Sequence, residues 1–243
     1  MECFNISLVK GTVINRPSKI CKSPYVADVL LDDGSVILAH APSLGCNGMC
    51  NSGSIIYLSL LENPKKCSHV IYLSEQDNIV GIHPKCGEKI VEYCLNNNYI
   101  DSLKNLKELK REQKVLNSRF DFIGVDSENN KFILEVKSVP LCENKVAYFP
   151  EGYRKKKTDV ISPRALKHIQ ELKQIKLASN IRTIICFVIQ NSEAEYFKIS
   201  DTDIIYKNAV NDAINEGVEI IALKIVWNIE GKAYFYNKLP IKN

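Results

Sequence analysis

The feature that most constrains the fold is a change of pattern near residue 80. Before it, five short segments rich in β-branched and aromatic residues alternate with turn signals such as Asp33-Gly34 and Asn63-Pro64. These segments lie near residues 8–13, 25–31, 35–40, 54–61 and 69–73. So many short strands in so few residues predict a small barrel, with an OB-like barrel as the first candidate. We expect this barrel to span residues 1–80.

Helical and strand patterns alternate from residue 81 onwards. Residues 88–95 carry apolar side chains at helical spacing, and Leu103, Leu106 and Leu109 predict a second helical stretch. Two apolar segments, 120–125 and 131–137, flank a polar loop and predict a β-hairpin. Together these segments predict the start of a second domain over residues 81–243.

The rest of this domain continues the alternation. Ser162-Pro163 is a helix-start signal, with serine as the N-cap and proline at the first helical position. A strand over 182–189, a helix over 203–216 and strands over 218–227 and 232–237 follow. The order predicts an α/β domain with a mixed sheet, so that the whole chain is of the α+β class.

Composition excludes some classes of protein. Hydrophobic residues make up 45% of the chain and charged residues 25%, as in ordinary soluble proteins. The apolar runs are too short to span a bilayer, and the start lacks the pattern of a signal peptide. The nine cysteines show no paired zinc-site spacing. We expect the cysteines to be reduced thiols in the cytoplasm. The alternative is a metal cluster that includes Cys46, Cys50, Cys67 and His69.

The net charge of +4 indicates a mild preference for polyanionic partners. Positive residues cluster at Lys65 and Lys66, over residues 104–114 and over residues 154–157. Each cluster alone is typical of a solvated face, but three clusters around one candidate site favour nucleic acid. We expect Lys65, Lys66, Lys155, Lys156 and Lys157 to contact phosphates.

The candidate site lies in the predicted hairpin. Glu135 and Lys137 are two apart in an otherwise apolar strand, so they share one face. A carboxylate and an ammonium in such a strand cost solvation free energy unless they pair or bind a metal. Asp121 begins the preceding strand, and the hairpin brings it beside Glu135.

These residue types suit a divalent ion. Mg²⁺, or Mn²⁺ in its place, takes oxygen ligands and is usually held by one or two carboxylates. Asp121 and Glu135 are the candidate ligands, the backbone carbonyl of Val136 is a third, and Lys137 would orient a water that attacks phosphorus. The alternative is a surface hairpin with a cross-paired Glu–Lys, because the D…ExK pattern alone often arises by chance.

The next predicted helix adds a polar stripe. Arg164, His168 and Glu171 stand at i, i+4 and i+7, on one side of a helix whose other side is apolar. A solvated polar face explains this stripe, and so does a phosphate-contacting face beside the metal site. Both interpretations stay open at this stage.

Several strings together resemble the sugar fermentation stimulation protein family over nearly the whole chain. The matching strings are Tyr25-Val-Ala-Asp-Val, His40-Ala-Pro-Ser-Leu-Gly45, Ser118-Arg-Phe-Asp-Phe, Leu134-Glu-Val-Lys-Ser-Val, Ala147-Tyr-Phe-Pro150, the run from Arg164 to Leu172, and Gly217-Val-Glu-Ile. The chain departs from the family's pattern at Ser43, Leu44 and Ala165, and in the run from Glu151 to Thr158.

The resemblance implies an OB-like domain followed by a nuclease-like domain of the PD-(D/E)xK type that binds DNA more readily than RNA. It assigns Asp121, Glu135 and Lys137 to the nuclease motif, and Glu112 to a glutamate of the preceding helical segment. Arg119, Arg164 and His168 are then candidates for contact with nucleic acid. A nuclease is the first hypothesis, and a non-catalytic DNA-binding regulator that uses the fold as a scaffold is the second.

Overall fold

A computed structural model describes residues 1–43, 46–152, 154, 156 and 159–242. The predicted five-stranded barrel is confirmed. Its strands are β2 (Val9–Asn15), β3 (Val26–Leu31), β4 (Val36–His40), β5 (Ile55–Leu60) and β6 (His69–Glu75). Their order is β4-β3-β2-β5-β6, and a parallel pairing of β4 with β6 closes the ring. A further strand, β7 (Ile79–Gly81), extends β6.

The turn at Asp33-Gly34 shows how local chemistry sets the barrel's register. Gly34 has a φ of +84°, a conformation that glycine adopts without steric cost. The Asp33 carboxylate accepts a hydrogen bond from the backbone of Ser35 at 2.9 Å. Strands β3 and β4 pair directly on either side of this turn, with Leu30 opposite Val36.

A seven-stranded mixed sheet dominates the rest of the chain, in the order β1-β16-β15-β13-β10-β9-β8. Its strands are β1 (Glu2–Asn5), β8 (Glu108–Val115), β9 (Ser118–Val125), β10 (Lys131–Val139), β13 (Arg182–Ile189), β15 (Glu219–Trp227) and β16 (Lys232–Lys238). The three strands β10, β13 and β15 run parallel, and their neighbours pair antiparallel. The predicted mixed sheet is therefore present.

Helices cover both faces of this sheet. Helix α1 (Pro84–Asn96) packs on one face through Ile90 and Val91, in a core that the barrel residues Tyr57 and Leu73 also enter. Helices α2 (Pro163–Ala178) and α3 (Ile204–Asn215) cover the other face. A small sheet lies beside them, built from β11 (Cys142–Glu143), β12 (Val146–Phe149), β14 (Tyr196–Ile199) and β17 (Ile241–Lys242).

Two features differ from the sequence-based expectation. The helix predicted around Leu103 to Leu109 is wrong: residues 101–103 form one short 3-10 turn, and β8 begins at Glu108. Strand β1 was not expected, and it pairs with β16 in the seven-stranded sheet. The first residues of the chain thus join the second half's sheet, while the division near residue 80 stays a prediction.

Candidate metal centre

The β9–β10 hairpin opens at the point where Asp121 stands. The ladder between the two strands ends with Leu134 opposite Phe122. Beyond it, the Asp121 carboxylate accepts a hydrogen bond from the backbone N–H of Val136 at 2.7 Å. A residue's N–H and C=O point to the same side of an extended strand, so the Val136 carbonyl also lies on the Asp121 side. The opened ladder therefore leaves backbone and carboxylate oxygens beside one another.

Glu135 lies at the centre of a buried polar cluster. Lys137 donates a hydrogen bond from Nζ to Glu135 Oε1, as two residues on one face of β10 can do. His168 of α2 places Nδ1 2.5 Å from the same oxygen. The side chains of Glu135, His168 and Lys137 are only 3%, 4% and 12% exposed. Two donors thus converge on a single carboxylate oxygen.

The second oxygen of Glu135 is in a different situation. Oε2 is buried and has no hydrogen-bond partner within the described part of the chain. A buried unsatisfied carboxylate oxygen is costly, and it calls for an explanation such as an ion or an ordered water. Because Lys137 and His168 both contact Oε1, Oε2 is the oxygen available to a ligand from outside the described residues.

The two carboxyl groups differ in their preferred charge. Burial raises the pKa of Glu135, but the His168 hydrogen bond and the Lys137 charge more than offset it, so this pKa is below its usual value. Burial and the neighbouring charge of Glu135 raise the pKa of Asp121 to about 7. Two carboxylates close together in a buried place repel one another unless a cation lies between them.

This donor set fits a hard divalent ion. Within the described residues there is no group of three or more His, Cys, Asp and Glu side chains that could hold a metal. Mg²⁺ does not require one, because it usually keeps several waters and uses one or two carboxylates. Asp121, Glu135 Oε2 and the Val136 carbonyl would supply such a partial shell. A structural zinc site would need four ligands, usually Cys and His, which the described residues of this cluster do not supply.

Glu88 is a site residue that the sequence analysis missed. It lies on α1, half-buried, and its charge contributes to raising the pKa of Asp121. Burial raises the pKa of Glu88 itself, and the charge of Glu135 adds to this. The sequence signal was weak, because an acidic residue one turn into an amphipathic helix is ordinarily solvated.

The three residues of the predicted polar stripe on α2 differ in their burial. Arg164 is exposed in the first turn, whereas His168 and Glu171 are only 3% and 7% exposed. His168 faces Glu135 instead of solvent, and its contact with a phosphate stays a prediction. The helix begins as predicted: Ser162 caps it by accepting from the backbone N–H of Ala165 at 3.3 Å.

Glu112 is not on a helix. It lies on β8 with a φ of +49°, opposite Asp121 at the one position where the β8–β9 pairing is interrupted. Its carboxylate pairs with Arg119 at 3.2 Å, and both side chains are at least half exposed. The expected helical glutamate is therefore an exposed strand residue.

The remaining predicted binding residues lie at the surface. Lys65 and Lys66 are exposed in the loop between β5 and β6, on a different sheet from the carboxylate cluster. Lys156 is exposed, while Lys155 and Lys157 lie outside the described residues, as does Leu44. All nine cysteines are free thiols. No helix within the described ranges is long and apolar enough to cross a membrane.

The fold and the site together define a class: a closed barrel joined to a mixed-sheet domain that carries a buried carboxylate, lysine and histidine cluster. The family model for the sugar fermentation stimulation protein RE domain matches residues 85–231. A sugar fermentation stimulation protein homolog of Alteromonas mediterranea is 30% identical over 98% of each chain. One from Brucella anthropi is 33% identical over 91% of this chain and 92% of the relative. The chain belongs to the sugar fermentation stimulation protein family.

A solved structure supports the fold of the whole chain. The structure of Pyrococcus furiosus SfsA in complex with Ca²⁺ superposes with a TM-score of 0.87 and covers 100% of both chains, at 23% sequence identity. The resemblance inferred from the sequence strings is therefore confirmed at the level of family and fold.

Proposed function

We propose that this protein hydrolyses nucleic-acid phosphodiesters with Mg²⁺, or Mn²⁺, held by Asp121, Glu135 and the carbonyl of Val136. The observation that carries the proposal is Glu135 Oε2, a buried oxygen without a hydrogen-bond partner in the described residues, close to a second buried carboxyl. The related Pyrococcus protein was solved with Ca²⁺, another cation that takes oxygen ligands. The domain would then work as a nuclease of the PD-(D/E)xK type.

Each residue of the cluster has a distinct role in this proposal. A bound divalent ion would polarise the phosphate and lower the pKa of a bound water. Lys137 carries three N–H donors and uses one on Glu135, so the others can orient the water or a phosphate oxygen. His168 is a positioning residue, because it touches Glu135 and fixes which carboxylate oxygen is free.

Nucleic acid is the polyanion that best fits the rest of the chain. Lys65, Lys66 and Arg164 are exposed cations on the barrel loop and at the start of α2, and Arg119 precedes Asp121 by two residues. Phosphate contacts of this kind supply sequence-independent affinity. A scaffold that only binds DNA has no use for two buried carboxylates near the backbone, because without a metal they repel phosphate. We expect DNA to be preferred over RNA.

The test is cleavage of labelled single- and double-stranded DNA and RNA by the purified parent protein in Mg²⁺, Mn²⁺ or a chelator. Asp121→Asn and Glu135→Gln should abolish metal-dependent cleavage and leave binding intact, since each removes a ligand and a negative charge. Glu143→Gln, an exposed glutamate of β11, is the matched control and should cut like the parent. A parent protein that cuts nothing in Mn²⁺ would favour the scaffold hypothesis.

A further inference from the structure

A second feature of interest is a crevice between the barrel and the carboxyl end of β10. Its volume is about 140 Å³. Residues from the barrel, the start of α1, and the ends of β10 and β12 line it; they include Ser43, Pro84, Ser138, Tyr148, Phe149 and Glu151. Four separate segments of the chain thus meet around one small opening.

The crevice is connected to the carboxylate cluster by two rigid elements. Ser138 directly follows Lys137 on β10, a step of roughly 3.3 Å along the strand. Pro84 begins α1, and Glu88 lies about one turn further along, a rise of roughly 6 Å. The crevice therefore adjoins the strand and the helix that carry residues of the candidate site.

The walls suit a flat ring. The Phe149 ring is fixed by Phe187 and Tyr206, with ring centroids 5.4 and 5.5 Å away. Tyr148 and two prolines, Pro84 and Pro140, complete an apolar lining. Nucleic-acid bases that leave their stack are bound in this way, between aromatic and apolar side chains.

The polar groups in the crevice select the edge of the ring. Ser200 donates a hydrogen bond to Glu151 Oε1, which fixes the carboxylate as an acceptor at the mouth of the crevice. Gln190 Nε2 donates to Ser138 Oγ at 2.5 Å, so the serine hydroxyl keeps its own proton to donate. The described lining residues include no lysine or arginine.

We propose that the crevice binds cytosine or adenine, from a nucleotide near the phosphate that is cut. Cytosine and adenine present an N–H₂ donor to a carboxylate and a ring nitrogen that accepts from a hydroxyl. Thymine and uracil present a carbonyl there, which the Glu151 carboxylate repels. This inference rests on the proposed nuclease function, and it assigns base preference to Glu151, Ser138 and Tyr148.

The experiment measures binding of fluorescent oligo-dC, oligo-dA and oligo-dT in chelator and, separately, cleavage of the same strands in Mn²⁺. The parent protein should bind oligo-dC and oligo-dA about tenfold more tightly than oligo-dT. Glu151→Gln should remove most of this difference, because a carboxamide can also donate to the thymine carbonyl. Glu143→Gln removes the same charge elsewhere and should leave the difference unchanged. Tyr148→Ala should weaken binding of all three strands, and Tyr148→Phe should restore it.

The outcomes separate the two proposals. A base preference that Glu151→Gln removes, in a protein that cuts nothing, supports base binding in the crevice and contradicts the proposed nuclease activity. Cleavage without a base preference, or cleavage with a preference that survives Glu151→Gln, supports the nuclease activity and contradicts base binding in the crevice. Absence of binding to all three strands also overturns the crevice, while cleavage of duplex substrates still tests the nuclease. Thermal unfolding of each variant confirms that it is folded.

Discussion

His168 Nδ1 lies 2.5 Å from Glu135 Oε1, although 33 residues separate them in the chain. The carboxylate is an acceptor only, so the imidazole donates. Lys137 donates to the same oxygen, and Glu135 Oε2 is left buried without a partner among the described residues. This contact therefore determines which oxygen of Glu135 is free for a metal ion.

The first prediction concerns this contact. His168→Ala should raise the Mn²⁺ concentration for half-maximal cleavage by about 10- to 100-fold, the usual cost of losing a residue that orients a metal ligand. His168→Asn keeps a donor near the Nδ1 position and should recover most of the loss. His69→Ala, in the barrel, is the control. Equal metal requirements in His168→Ala and the parent would contradict the positioning role.

Lys137 should act differently from its neighbours. Lys137→Ala is expected to lower the single-turnover cleavage rate by about 10²-fold, the scale of losing a positioned proton-transfer or electrostatic group. Because Lys137 is not a ligand and His168 still holds Glu135 Oε1 in this variant, the Mn²⁺ concentration for half-maximal activity should change little. A large change in that concentration with an unchanged saturated rate would show that Lys137 acts only by holding Glu135.

The helical and strand signals predicted much of the fold because they are local. The hairpin of β9 and β10 and the start of α2 at Ser162-Pro163 follow from apolar runs, turn residues and a serine cap. The segment after Leu103 failed because its leucines have helical spacing but pack against the core from an extended chain. The pairing of β8 with β9 decides that conformation, and local propensity is overridden there.

The candidate site was predictable only in part. Asp121, Glu135 and Lys137 lie within 17 positions of one another, on a hairpin that the pattern indicates. Glu88 and His168 come from separate helices, and their approach depends on how α1 and α2 pack on opposite faces of the sheet. Helix spacing alone cannot distinguish a solvated histidine from one that faces the sheet, so the sequence left the environment of His168 open.

Exposed lysines of the barrel give a prediction about salt. If Lys65 and Lys66 contact phosphates, Lys65→Ala with Lys66→Ala should reduce the slope of log affinity against log salt on duplex DNA by up to about 1.8, or about 0.9 for each contact. The control is the double variant Lys10→Ala with Lys110→Ala. It removes the same charge from residues that are already paired with glutamates, so its slope should change less. An equal loss of slope in both double variants would show a general charge effect.

His83 gives a prediction about pH. Its ring stacks on Tyr72 with centroids 4.6 Å apart, and burial lowers its pKa to about 4. Between pH 4 and about 6.5 the unfolded chain binds more protons at this group, so its contribution to stability is full above pH 6.5 and is lost as the pH falls towards 4.

His83→Phe keeps the stacked ring and removes the titration. The free energy of unfolding in urea, measured with chelator across this pH range, should therefore depend less steeply on pH in the variant than in the parent. Asp121, whose pKa is raised, makes stability fall as the pH rises, but it does so equally in both proteins. The difference between the two pH profiles therefore reports His83. Parallel pH profiles would contradict the prediction.

We propose that Asp121 and Glu135 share one divalent ion, and binding of Mn²⁺ measured by electron paramagnetic resonance tests this without any substrate. The parent protein and Glu143→Gln should bind one Mn²⁺ per chain, and Mg²⁺ should compete for the site. Asp121→Asn and Glu135→Gln should each weaken this binding by at least about tenfold, since each removes one of two carboxylate ligands. A parent protein that binds no Mn²⁺ at millimolar concentration, or variants that bind it as tightly as the parent, would contradict the claim.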